Sequence, residues 1–145
     1  MEADVKDRTK PLLLTIALCG CILMFFSPVL FAQDNKLKKV LVLHSYHRGL
    51  SWDDAIDEGI ESVFKESDLN IDAQIEYMDT KRIHNPIYLR QLRSIYKTKF
   101  GKRKFDVIIS TDNNALNFLL KHRDDLFPQT PVVFCGVNYY QDSML

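Results

Sequence analysis

The stretch KKVLVLHSYHRGLSWDDAIDEGI, residues Lys38 to Ile60, decides the fold of this chain. It begins with VLVLHS, a continuous apolar run of strand length that is typical of a strand buried on both faces. Histidine, serine and tyrosine follow directly, and a helix is predicted to open on Ser51 and Trp52. Hydrogen-bonding and aromatic side chains therefore gather where a buried strand passes into a helix.

The helix after this strand is predicted to be amphipathic. Ser51 stands three residues before Asp54, as in a capping box. Apolar side chains recur at helical spacing and predict a core face made of Trp52, Ile56, Ile60, Val63 and Phe64. The acidic side chains fall largely on the other side and predict a solvated face made of Asp53, Asp57, Glu58 and Glu61.

Three more strands are predicted along the chain, separated by helices. Apolar or alternating runs place them at Asn70–Met78, Phe105–Ser110 and Pro131–Val137. With the helices between them, the order of elements is β-α-β-α-β-α-β.

The two further helices have clear starting signals. Asn85 followed by Pro86 favours a start there and a helix to about Phe100, and another helix is predicted to begin near Asp112. Their buried stripes are predicted at Tyr88, Leu92, Ile95 and Tyr96 in the first and at Ala115, Leu116, Leu119 and Leu120 in the second.

Strands that alternate with helices in this way predict an α/β fold, a three-layer α-β-α lobe around a parallel sheet. In such sheets ligands bind at the carboxyl ends of the strands. The residues that follow each predicted strand are polar, so we expect a ligand-binding rim at that edge. Its candidate residues are Ser45, Tyr46, Trp52, Asp79, Thr80, Asp112, Asn113, Gly136 and Asn138.

Some of these residues have a second interpretation. Trp52 either stacks on a ligand or packs as the first residue of the core stripe. Asp112 either contacts a ligand or caps the helix that it begins. His44 and His47 are potential metal ligands, but they lack matched partners in the sequence, so no metal or other cofactor is expected.

An export element is predicted at residues 1–33. Three basic residues within the first ten precede an uncharged run, Pro11–Gln33. Pro28 and Ala32 fit a signal peptide cleaved after Ala32, whereas the length of the run is close to the roughly 20 residues that cross a bilayer and favours an uncleaved membrane anchor. Either alternative makes residues 34–39 a polar tether and puts the lobe, residues 40–145, in the periplasm or at the extracytoplasmic face of the membrane.

The composition narrows the classes of function. Lysine and arginine together number 19, as do aspartate and glutamate, so nucleic acid is not an expected partner. The basic segment Lys97–Lys104 lies at the amino edge of the sheet and is interpreted as a solvated loop. If the leader is removed only Cys135 remains, which excludes an internal disulfide, and this residue is interpreted as a small core side chain rather than a nucleophile.

Motifs that would indicate catalysis are missing from the sequence. There is no G-x-S-x-G, no glycine-rich phosphate loop and no H-E-x-x-H helix. A phosphoacceptor domain on the same layout would need an acidic pair after the first strand, where this chain has LHSYH. We therefore expect a protein that is not an enzyme.

The strand-end motifs VLVLHSYHRGLSWDDAIDEGI, IEYMDTKR, FDVIISTDNNALNFLLKHRDDLFP and PVVFCGVN, taken in order, resemble extracytoplasmic sensor domains related to ABC-transporter substrate-binding proteins. Such domains have the type I periplasmic-binding-protein fold. They often form the input end of histidine kinases or diguanylate cyclases.

The resemblance implies a function and a larger protein. It implies a two-lobed domain that closes on a small molecule and passes the closure on in signal transduction, with a soluble substrate-binding protein of an ABC transporter as the alternative. The sequence corresponds to lobe one only, so a fragment that lacks its second lobe is expected. Sensors of this kind often act as homodimers, and the N-terminal helix would attach the protein to the membrane if it is uncleaved.

Overall fold

The computed structural model describes residues 36–144, which fold into alternating strands and helices. The strands are β1 (Lys38–His44), β2 (Ile71–Tyr77), β3 (Val107–Thr111) and β4 (Val132–Cys135). The helices are α1 (Ser51–Glu66), α2 (Pro86–Phe100) and α3 (Asp112–Leu126), and a short 3-10 turn follows at Asp142–Met144.

All four strands pair in parallel, in the order β2-β1-β3-β4. Val42 of β1 lies between Ile75 of β2 and Ile109 of β3. The predicted α/β fold with a parallel sheet is therefore confirmed. The strand β1 begins two residues before the predicted run VLVLHS, whereas β2, β3 and β4 are shorter than predicted by two, one and three residues. The last strand ends at Cys135 because Gly136 turns the backbone with a φ of 69°.

The main core lies between the sheet and the helices α2 and α3. Leu41 and Leu43 of β1 point into it, and Phe100 packs there edge-on against Phe105 with their ring centroids 5.6 Å apart. Helix α2 begins as predicted, because the Asn85 side chain accepts hydrogen bonds from the backbone N–H groups of Ile87 and Tyr88 at 3.0 and 2.9 Å. This face of the sheet is held mainly by apolar burial.

Two predicted core residues of these helices lie at the surface. Ile95 of α2 is 54% exposed and Leu120 of α3 is 42% exposed. Helix α2 instead buries Leu92, Tyr96 and Phe100, a stripe spaced by four residues that leaves Ile95 about 100° away around the helix.

Helix α1 lies on the opposite face of the sheet and departs most from prediction. Its predicted core residues Trp52 and Val63 are 50% and 64% exposed, while Asp53, predicted to face water, is fully buried. The reason lies in β1, where side chains alternate between the faces and His44 therefore points towards α1. A buried histidine under the helix draws acidic partners inward.

The predicted capping box of α1 is also wrong. Leu50 occupies the N-cap position and gives no side-chain hydrogen bond. The carboxylate of Asp54 accepts instead from the backbone N–H of Gly49, at 2.9 Å, and so closes the loop before the helix.

The predicted export element falls on residues 1–33, outside the described part of the chain. Within residues 36–144 no helix has the length and apolar character needed to cross a bilayer.

Candidate functional site

The carboxyl ends of β1 and β3 meet at a reversal of the chain's winding. These strands are neighbours, with His44 opposite Thr111. The chain leaves β1 for α1 on one face and leaves β3 for α3 on the other. Open α/β sheets bind ligands in the crevice at such a reversal, which makes this edge the candidate site.

A buried polar cluster underlies this edge, formed by His44, Asp53, Asp57, Tyr77 and Thr111 and called here the His44 cluster. The imidazole is fully buried, with Nδ1 3.2 Å from Asp53 Oδ1 and Nε2 2.7 Å from Asp57 Oδ1. Thr111 Oγ1 lies 3.1 Å from Nδ1. Ionised carboxylates only accept hydrogen bonds, so both carboxylate contacts are satisfied together when each ring nitrogen carries a proton.

Tyr77 completes the cluster from β2. Its ring stacks on His44 with the centroids 4.9 Å apart, and its hydroxyl donates to Asp57 Oδ2 at 2.5 Å. Burial, followed by the neighbouring Asp57 carboxylate, raises the pKa of Tyr77, so the phenol stays a donor. Helix α1 is thus tied to two strands through one carboxylate.

Asp53 is the least satisfied member of the His44 cluster. Burial is the main cause that raises its pKa, and the charges of Asp112 and Asp57 act in the same direction, while His44 opposes them. Its Oδ2 atom is buried and finds no hydrogen-bond partner among residues 36–144. The His44 cluster therefore contains a buried carboxylate oxygen that lacks a hydrogen-bond partner, and this lowers the stability of the structure beside the candidate site.

Tyr46 and Asp112 lie together at this edge, where Tyr46 is half-buried and Asp112 is buried. Burial and then a hydrogen bond with the Asp112 carboxylate raise the pKa of Tyr46 to about 12. Lys81 Nζ lies 5.2 Å from the centre of the Tyr46 ring. Asp112 has a φ of 66°, and its carboxylate accepts from the backbone N–H of Asn113 at 2.6 Å, so it serves the start of α3 as well as Tyr46.

Two predicted rim residues use their hydroxyl groups within the fold. Ser45 is fully buried, donates to Thr111 O at 2.6 Å and accepts from the backbone N–H of Ala115 at 2.8 Å. Thr80 is 5% exposed, donates to the backbone oxygen of Ser45 and accepts from Asn114 Nδ2 at 2.9 Å. These hydroxyls connect β1, the loop after β2 and α3, so they position the edge rather than line it.

Trp52 lies at the surface of the edge, beside Gly136. The indole is half exposed, so it does not pack as the core residue of the alternative interpretation. A Cβ atom at Gly136 would come within 3.1 Å of the indole Cζ2, and the backbone there has a φ of 69°. Glycine therefore suits both the positive φ of the turn and the close approach of the ring.

The remaining predicted residues hold the surrounding loops. Asn113 Nδ2 donates to Asn138 O, and the Asn138 N–H donates to Asn113 Oδ1, both at 3.0 Å, which fixes the loop after β4 to α3. Asp79 has a φ of 52° and forms an ion pair with Arg82 at 3.5 Å. Its backbone N–H donates to Tyr46 O at 2.8 Å and brings the loop after β2 to the same edge.

His47 and Cys135 belong to different parts of the described structure, the loop before α1 and the strand β4. His47 Nδ1 contacts the backbone oxygen of Arg48 at 3.0 Å in the loop before α1. No group of three or more His, Cys, Asp and Glu side chains in residues 36–144 is arranged to hold a metal ion. Cys135 is exposed rather than in the core, because β4 is the edge strand of the sheet.

Sequence reasoning missed the His44 cluster. The available signal was the alternation Val40, Val42, His44, which places a histidine among the valines that face α1. Asp53 and Asp57 are four residues apart and so share one side of that helix, where they can both reach it.

Comparison of the chain with protein-family models, with curated proteins and with solved structures finds no match.

Proposed function

We propose that residues 40–145 are an extracytoplasmic lobe that binds a small molecule and acts as a sensor domain in signal transduction. It would be the first lobe of a periplasmic-binding-protein-like domain, brought across the membrane by an N-terminal signal peptide or anchor. The lobe has no chemistry of its own in this proposal.

The observation that carries the proposal is the accessible pair Trp52 and Tyr46 at the reversal between β1 and β3. Trp52 offers an apolar ring to solvent, and the half-buried Tyr46, hydrogen-bonded to the buried Asp112 carboxylate, offers a hydroxyl. Ligand sites commonly combine apolar and aromatic walls with a few fixed polar groups. A small polar molecule with a flat apolar part and hydrogen-bond donors fits this combination.

The state of the reactive side chains supports binding rather than catalysis. His44 is fully buried and both ring nitrogens are held by carboxylates, so it cannot reach a substrate at the surface while α1 is in place.

The binding claim is tested through Trp52, the only tryptophan in the chain. The full-length protein is titrated with amino acids, monosaccharides, organic acids and nucleosides while the indole emission is recorded. We expect a saturable change with at least one class. Tyr46→Phe should weaken it, since the donor to Asp112 is lost, and Tyr139→Phe, the same change on a ring that is 96% exposed, should leave it unaltered. Failure of all four classes to change the emission contradicts the proposal.

The location is tested separately through the exposed thiol of Cys135. The full-length chain is produced in bacterial cells with Cys19 and Cys21 replaced by alanine, and Cys135→Ser is the unlabelled control. A maleimide that cannot cross the cytoplasmic membrane should label Cys135 in spheroplasts. Labelling only after the membrane is broken contradicts an extracytoplasmic lobe.

A further inference from the structure

A cavity lies between α2 and α3, and its lining includes Asn114, whose side chain also contacts the rim residue Thr80. Its volume is about 470 Å³, within the range of sites for small organic molecules. Leu89 and Phe118 provide apolar surface in it, and both belong to the packing of the main core. The cavity therefore has an apolar wall on which an apolar group can lie.

The polar lining of this cavity is basic. It includes Arg90 and Arg93 from α2, Lys121 and His122 from α3, and His84 from the preceding loop. Among the described residues that line it there is no carboxylate. In a chain whose charges balance overall, this local excess of one sign attracts anions.

Arg93 is held by an ion pair, whereas Arg90 and Lys121 are available to bind an anion. Arg93 Nη2 and Lys97 Nζ both contact the Asp125 carboxylate, at 2.7 and 2.6 Å, which lowers the pKa of Asp125. Arg90 and Lys121 form no ion pair within residues 36–144, and both are exposed. An anion in the cavity would find two uncompensated charges beside a fixed third.

The pKa of His122 responds to the charged groups around the cavity. Its ring packs edge-on against Phe118 with the centroids 4.9 Å apart. Burial lowers its pKa, followed by Arg93 and Lys121, while Asp125 has the opposite effect. Burial and the positive groups on α2 and α3 therefore both disfavour a positive charge on His122.

From this geometry we infer that the cavity between α2 and α3 binds a small organic anion, with its charged group on Arg90 and Lys121 and its apolar body on Leu89 and Phe118. This site lies between two helices rather than at the ends of the strands, and its ligand is an anion. The inference does not depend on the proposed function.

The test uses 4-fluorobenzoate as the probe and the full-length protein. Binding is followed by the fluorine signal, and the His122 ring is titrated by NMR with and without the probe. We expect saturable binding, a rise in the pKa of His122 when the anion is bound, and a loss of affinity of about tenfold in the double variant Arg90→Gln, Lys121→Gln. Lys102→Gln, an exposed lysine outside the cavity, is the matched control and should keep the affinity.

Two further probes separate the parts of the inference. Inorganic phosphate carries charge without an apolar body, and 4-fluorobenzyl alcohol carries the body without charge, so each should bind more weakly than 4-fluorobenzoate. Equal binding of either, unaltered affinity in the double variant, or no binding of 4-fluorobenzoate at millimolar concentrations would overturn the inference.

Discussion

The two faces of the sheet hold their helices by different means. On one face α2 and α3 share an apolar core in which Leu41, Phe100 and Leu119 are each about 1% exposed. On the other face α1 buries a single residue fully, and that residue is Asp53. A charged hydrogen-bonded cluster thus accompanies the half-buried Ile56, Ile60 and Phe64 in attaching α1 to the sheet, and this helix carries the start of the candidate site.

The largest effect on stability is expected from a substitution in the apolar core between the sheet and the helices α2 and α3. Phe100→Ala removes a buried ring that contacts Phe105 and Phe127, so we expect the free energy of unfolding to fall by about 4 kcal/mol. Denaturant titration followed by circular dichroism measures it. Ile87→Ala, on the same helix and 62% exposed, should change the free energy by less than about 0.5 kcal/mol. Similar losses in both variants would contradict an apolar core at this face.

A slightly smaller effect is expected on the polar face. His44→Ala leaves the carboxylates of Asp53 and Asp57 close together without their partner, and we expect a loss of about 3 kcal/mol in the free energy of unfolding. His47→Ala is the control and should lose less than about 0.5 kcal/mol. If His44→Ala were as stable as the unaltered protein, the His44 cluster would not hold α1.

The variant Gly136→Ala tests whether Trp52, at the start of α1, packs against the turn after β4. The added Cβ would approach the indole of Trp52 and would take a positive φ, so we expect a loss of about 1 kcal/mol and a shift of Trp52 emission to longer wavelength. Gly59→Ala, in α1 with open space around it, should leave the emission unchanged and should not destabilise the protein. Unchanged emission in Gly136→Ala would mean that Trp52 does not lie against this turn.

The smallest expected effect is a change in pH dependence. Because the pKa of Asp53 is raised on folding, the folded state binds this proton more tightly than the unfolded chain. The contribution of Asp53 to stability is therefore present below its ordinary pKa and is lost as the pH rises through its pKa in the folded state. We expect Asp53→Asn to show a shallower fall in the free energy of unfolding above the ordinary carboxyl range. Equal slopes in the two proteins would contradict the assignment.

The order of elements was predictable because each depends on local signals. The apolar run of β1 and the Asn85-Pro86 start of α2 can be recognised in the sequence. The parallel sheet follows from the alternation of strands with helices. The His44 cluster was not predicted, because an acidic helix face is normally solvated and only the sheet beneath α1 shows that a histidine faces it. Ser45 and Thr80 were correctly placed at the strand ends, but their internal partners depend on the packing of three segments.

The most direct test of the difference between the two faces is amide hydrogen exchange of α1 compared with α2 and α3. We expect the amides of α1 to exchange through a local opening of lower free energy than those of α2 and α3, and we expect His44→Ala to lower the protection of α1 preferentially. Equal protection in all three helices, falling together in His44→Ala, would show that α1 belongs to the same cooperative unit and would contradict a helix held separately by the His44 cluster.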